Sequence, residues 1–346
     1  MRPILMPPNR LDHFYLGGSR ITDLRGVAAT SDRSPEEWLG STVTRFGEER
    51  LGLSSLPDGS LLRDAVDADP DAWLGAAHTA AFGTSTGILV KLLDAGQRLP
   101  VHLHPDRAFS RRHLDCPYGK TEAWYVLEAD EGAVCHLGFR EELGSGELAR
   151  LVADQDTEAL LAAMQTIEVR PGDGILVPSG LPHATGQGIL VVEAQEPTDL
   201  SILLDWSGLP LDGEVDGHLD LGFPTALSAV DRSGWSPERL ASLVTRTPDP
   251  ARIDALLPLL PAASEPFFRV HLAHPATALE IEPGFAVVVV LAGVGTIDSS
   301  QGGFIASRGD VLVVPYAAGA WQVGAGLTAV VCRPGTDGPL RSGAAA

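Results

Sequence analysis

The chain has 346 residues, 44% of them hydrophobic, which is enough for two ordinary cores or one core with large insertions. A formal charge of −20 at pH 7 opposes attraction to nucleic acid or to an anionic membrane surface, so small molecules are the expected partners. No basic segment followed by an apolar run opens the chain, and nowhere do about 18 apolar residues run uninterrupted, so a cytoplasmic protein is expected.

Cys116, Cys135 and Cys332 are too few and too scattered for a disulfide framework or a thiolate metal site. Lysine and arginine together number 25, yet lysine occurs only at Lys91 and Lys120. A primary amine can lose or share a proton when desolvated and a guanidinium cannot, so two retained lysines suit an acid/base role.

In chain order, the first clear apolar run is GILVKLLDA, followed by LPVHLHP, AWYVLEA and GAVCHLGF. Each is bounded by Gly, Pro or Asp and reads as a strand. Residues 140–164 carry apolar positions at helical spacing and read as a helical insertion. The strand pattern returns with GDGILVPSG, GILVVEA and LSILLDW. A second helical stretch, 237–244, then connects to FFRVHLAHP, FAVVVVLAGVGTI, GDVLVVPYAAGAWQV and LTAVVCRPG. The tail GPLRSGAAA is expected to fray. The phrase PGDGILVPSGLPHATGQG returns as RGDVLVVPYAAGAWQV, an internal repeat in which His183 has no histidine counterpart. A mainly β protein of two similar barrels is expected. The first would be residues 1–235 with the insertion, and residues 236–346 would be a connector plus a second barrel.

Alternation along a strand puts His102 and His104 on one face, and Glu122 lies on the next strand-like segment. His183 sits just beyond a strand that ends in a turn. Three imidazoles and one carboxylate suit a divalent first-row metal with positions left for water or substrate. Taken alone, His102 could instead be a core histidine or a donor behind the ligands. His113, His136 and His218 read as surface or packing residues. His271 and His274, at odd separation, would face opposite ways.

HLH, the later glutamate and GDGILVPSGLPH resemble the two motifs of a cupin barrel. The longer series GILVKLLDAGQRLPVHLHPD, GKTEAWYVLEA, GFREELGSGELARLV and VRPGDGILVPSGLPHATGQGILVVEAQEPTD resembles type I phosphomannose isomerases over nearly the whole chain. That resemblance implies two cupin-like jelly-roll barrels, the first metal-binding and the second degenerate. It also implies a metal-dependent aldose–ketose isomerase taking mannose 6-phosphate to fructose 6-phosphate, with one divalent ion, zinc by family expectation. His104, Glu122 and His183 match the family's ligand positions, whereas His102 stands where glutamine or lysine is common. Lys120 matches the lysine of GK-x-E as a base, Lys91 a group that positions a substrate oxygen, and Glu193 a second acid or base.

One departure bears on the substrate. The family has an arginine at the phosphate side where this chain has Ile202 or Leu203, and residues 171–231 hold no lysine or arginine at all. Arg98, Arg107, Arg111 and Arg112 are candidate replacements, although a solvated loop face is the simpler expectation for each. An isomerase of an unphosphorylated or otherwise modified sugar is therefore the alternative. A metal cupin of another kind, an oxygenase, hydrolase or sugar sensor, is the further one.

Overall fold

A computed structural model describes residues 1–247 and 253–340 of the chain. Strand outweighs helix, 32% against 21%, and the paired strands are antiparallel, as the mainly β reading required. The residues 341–346, part of the tail expected to fray, lie outside the described residues.

The first half builds two sheets. One has seven strands, ordered Val244–Arg246, Asp173–Val177, Glu122–Ala129, Ile189–Gln195, Leu89–Ala95, Glu36–Leu39 and Arg10–Leu11. The other has five, ordered Ile202–Leu203, His102–Leu103, His183–Thr185, Val134–Phe139 and Met164–Glu168. The long apolar runs form the middle of the seven-stranded sheet, where every residue of Leu89–Ala95, Asp173–Val177 and Ile189–Gln195 is buried. Burial on both faces is why these strands lack a polar alternation.

The insertion forms two helices, Ser145–Ala153 and Thr157–Ala163, packed over Leu148, Leu151, Val152 and Leu160. Asp156 ends the break between them by accepting a bond from the Ala159 amide. The expected connector helix is shorter than 237–244. It spans Pro237–Ala241, after which Val244–Arg246 leaves helical geometry to pair with Asp173–Ile175 at the sheet's edge. Three helices near the start, Leu62–Ala68, Pro70–Leu74 and Ala76–Phe82, have no clear sequence signature.

The second half forms a nine-stranded sheet that includes Phe268–His274, Ala286–Ser299, Val311–Val314 and Leu327–Pro334. The repeat is visible here: in the place of His183–Thr185 stands Trp321–Val323, with Trp321 fully buried. Segments cross between halves. Ile4–Leu5 pairs with Leu312–Val313 of the second half. One apolar core runs through both halves, joining Trp124, Leu190 and Val192 to Phe268, Phe285, Val287 and Val313.

Candidate active site

His102 and His183 sit directly opposite each other on paired strands, and His104 follows two residues along the first. The three ring centroids are 4.1, 4.9 and 5.0 Å apart, and one nitrogen from each ring lies within 4.8 Å of the others. His102 is therefore grouped with the other two rather than packed away from them. Each Nδ1 faces a backbone carbonyl: Pro100 at 2.8 Å, Leu200 at 2.8 Å and Leu181 at 2.9 Å. A carbonyl only accepts, so each Nδ1 donates and each Nε2 is left with a lone pair.

Glu122 closes the cluster. Its Oε2 is 2.9 Å from His104 Nε2 and its Oε1 is 3.3 Å from His183 Nε2. Lys120 Nζ reaches both atoms of the first contact, whereas His183 Nε2 is buried without a hydrogen-bond partner among the described residues. Such a set of acceptors calls for a positive charge between them, and three imidazoles with one carboxylate suit a divalent ion. Burial, followed by its neighbours His183 and His104, holds the pKa of His102 well below the usual range. Burial, then Lys120, brings His104 to about 3. Burial works against the charge of Glu122, but Lys120 and His104 outweigh it and lower its pKa. Neutral imidazoles beside an ionised carboxylate are the protonation states a metal requires.

Both lysines reach the same cavity. Lys120 Nζ lies 2.5 Å from Glu122 Oε2 and 2.8 Å from His104 Nε2. Lys91 is in register with Glu193 on one side and Trp38 on the other, and its Nζ sits 4.7 Å above the Trp38 ring. Burial opposes the charge of Lys91, but Glu36 at 3.3 Å, Glu193 at 3.7 Å and Asp199 at 4.0 Å raise its pKa on balance. Glu193 goes the other way from an ordinary ion-paired carboxylate. Its burial and the charge of Glu122 outweigh Lys91, and its pKa rises to about 7. Its Oε1, without a hydrogen-bond partner, is 4.0 Å from Lys120 Nζ.

Sequence reasoning missed Glu36 and the groups around it. Glu36 accepts from Tyr15 Oη and from Trp38 Nε1 at 2.6 Å, and lies 3.1 Å from His13 Nε2. Burial raises its pKa, but His13 and Lys91 pull it well below the carboxylate range. The available signal was the run EEWL, two carboxylates beside a tryptophan, in which alternation sends Glu36 and Trp38 to the same side.

Glu36, Lys91, His102, Lys120, Glu122 and Glu193 line a cavity of about 610 Å³. Its wall from residues 199–220 contributes Ser201, Leu203, Leu211 and Leu219 together with Asp199, Asp216 and Asp220, and no cation. Ile202 points into a separate apolar core. None of the four arginines considered as replacements lines the cavity. Arg98 binds Asp205 at 2.8 Å and Arg107 binds Glu196 at 2.5 Å. Arg107, Arg111 and Arg112 belong to the helix Arg107–His113, capped by Asp106, rather than to a loop. The cavity instead takes Arg45, from the loop after Glu36–Leu39, whose Nη2 donates to His13 Nδ1 at 2.8 Å and whose Nη1 donates to the Asp12 carbonyl at 3.1 Å. His113 is exposed, and His136 lies in a strand with Thr166. His218 accepts from the Gly222 amide and packs edge-on against Phe223, as expected of packing residues.

Among proteins of known function, a mannose-6-phosphate isomerase of Streptococcus mutans is 30% identical over 88% of this chain and 90% of its own length. The chain belongs to the mannose-6-phosphate isomerase family. Another member, from Bacillus subtilis, is 26% identical over 89% of this chain and 91% of its own. No family model matches the chain. The crystal structure of the mannose 6-phosphate isomerase from Bacillus subtilis shares the fold at a TM-score of 0.70 and 22% identity, covering 96% of this chain and all of that one. A mutant of the phosphomannose isomerase from Salmonella typhimurium shares it at a TM-score of 0.74 and 14% identity, over 97% of this chain. This family member is accordingly a sugar isomerase, an enzyme of small molecules with three histidines that could bind a metal. Among the described residues no helix is long and apolar enough to cross a membrane.

Proposed function

We propose that this isomerase interconverts mannose 6-phosphate and fructose 6-phosphate in the cytoplasm, with His102, His104, Glu122 and His183 holding one divalent ion, zinc by family expectation. The single observation that carries the reading is the convergence of three Nε2 lone pairs and the Glu122 carboxylate beneath a cavity that also holds both lysines. When bound, the ion polarises the substrate's carbonyl and hydroxyl oxygens.

The chain's own residues move the protons. Lys120 takes the proton from C2 of the open-chain aldose while the Glu193 carboxyl gives its proton to O1, which leaves an enediol. The Glu193 carboxylate then accepts the O2 proton as Lys120 returns its proton to C1, and the ketose results. A carboxyl with a pKa of about 7 is matched to both halves of that exchange. Lys91, locked as an ammonium by three carboxylates, holds a sugar oxygen. Arg45 takes the phosphate. Unlike the two lysines, it has no carboxylate within hydrogen-bonding reach among the described residues, and its planar fork suits a dianion. We assign catalysis to residues 1–235 and a structural role to 236–346.

A second reading, an isomerase of an unphosphorylated sugar, is favoured by the wall of leucines and aspartates that stands where the family places its arginine. A proton-exchange assay in deuterated water, with metal-loaded protein and the two sugars side by side, separates the readings. Exchange is expected with mannose 6-phosphate, lost after chelation and abolished in Lys120→Arg, which keeps the charge but cannot act as a base. Exchange with mannose alone would replace the first reading by the second, and turnover retained in Lys120→Arg would remove Lys120 as the base.

A further inference from the structure

Away from this cavity, the strands Phe268–His274 and Leu327–Pro334 pair so that Arg269 lies directly opposite Arg333. Like charges at opposed positions of a sheet repel each other. A chain with 45 acidic residues would ordinarily place a carboxylate between them. Among the described residues the guanidiniums bind only carbonyls: Arg269 Nε donates to Pro334 at 3.1 Å, and Arg333 Nη2 donates to Pro283 at 3.1 Å and Glu282 at 3.3 Å. Arg333 Nε is buried with no hydrogen-bond partner among the described residues. The nearest acidic side chains acting on the pair, Glu265 and Glu282, are exposed to solvent. Burial, followed for Arg333 by the charge of Arg269, lowers the pKa of both groups, so each charge is held against a cost.

Both side chains face a cleft of about 230 Å³. His78 and Phe82, on the helix Ala76–Phe82 of the first half, close one side, and Gly284, Tyr316 and Thr336 of the second half close the other. Gly284 is fitted to the pair: at φ +154° a side chain is disfavoured, and a Cβ there would come within 2.6 Å of Arg333 Nη2.

We propose that this cleft is an anion site, separate from the active site, that binds the phosphate group of a small phosphomonoester or inorganic phosphate between Arg269 and Arg333. Two guanidinium forks on one small cleft match the oxygens of a phosphate, and the bound dianion removes the repulsion that the empty pair sustains. Because the cleft is walled by both halves, the anion also ties them together, so occupancy stabilises the folded chain.

The test is calorimetric titration and thermal unfolding of metal-loaded protein with inorganic phosphate and, separately, glycerol 3-phosphate, at constant ionic strength against chloride. Wild-type protein should bind and gain a few degrees in Tm. Arg269→Gln and Arg333→Gln should each weaken binding about tenfold or more. With no phosphate present, each should be at least as stable as wild type, since the repulsion is gone. Tighter binding of glycerol 3-phosphate than of phosphate identifies the ester as the ligand, and the reverse identifies the free ion. Either order supports the site. A stabilisation that chloride reproduces, or one that persists in both glutamine variants, would overturn it, the latter by placing the anion in the large cavity. Should a glutamine variant fail to fold, Arg333→Lys keeps the charge without the fork and must still weaken binding.

Discussion

Each site imidazole spends its Nδ1 hydrogen on a backbone carbonyl two residues back or across the fold, so the chain itself selects the tautomer that exposes Nε2. The same burial that keeps His102 and His104 neutral makes the metal-free protein sensitive to acid. An unfolded histidine titrates near about 6.5, whereas His104 in the fold titrates at about 3. Between those values the unfolded chain binds protons that the folded one refuses, and stability is lost as the pH falls through that window. Glu193 has the opposite sign: its contribution is present at low pH and lost as the pH rises through about 7. With two depressed histidines against one raised carboxyl, the unfolding midpoint of metal-free protein should fall from pH 7 to pH 5. His104→Gln should fall less, as followed by circular dichroism. An equal fall in both would remove His104 from the account.

The histidine cluster was legible because its spacing follows strand geometry: alternation brought His102 and His104 to one side, and the turn at Gly180 delivered His183 to their level. Glu36 was not legible, since a charge in a short strand reads as an exposed position until its partners are known. Those partners, His13 with Tyr15, Trp38 and Lys91, come from three places in the chain. Arg45 was hidden for a similar reason. It reaches the cavity from a loop with no pattern of its own, far in sequence from the histidine motif.

At the scale of elements, the long apolar strands announced themselves and the short helices did not. Leu62–Ala68, Pro70–Leu74 and Ala76–Phe82 are each under two turns long, too short for a 3.6-residue period to show, and Pro70 and Gly75 interrupt what period there is. The strand Asp173–Val177 shows how closely the elements are fitted. A Cβ on Gly174 would stand 1.8 Å from the Leu259 carbonyl oxygen, backbone against backbone across the two halves. Gly174→Ala should therefore destabilise the protein by about 1–3 kcal/mol or more, read from the urea unfolding midpoint. A neutral result would mean that the halves slide apart without strain.

For the whole molecule, the internal repeat predicts two units, and the two halves of the chain are not insulated from each other. The core that holds Trp124 and Leu190 continues through Phe268, Phe285 and Val287. Residues 1–235 alone would expose that shared apolar face. The fragment is expected to bind a hydrophobic dye and to melt well below the full chain, while the full chain unfolds in one calorimetric transition. A fragment with a native near-ultraviolet spectrum and the parent's melting temperature would show instead that each half stands by itself.

The pairing of Ile4–Leu5 with Leu312–Val313 sets an order of events during translation. Ile4–Leu5 is made long before its partners and finds them only once Val311–Val314 has been synthesised, so the sheet of the second half is completed by a much older part of the chain. A nascent polypeptide halted before Val311 would carry that strand unpaired, however well the cavity of the first half had already formed.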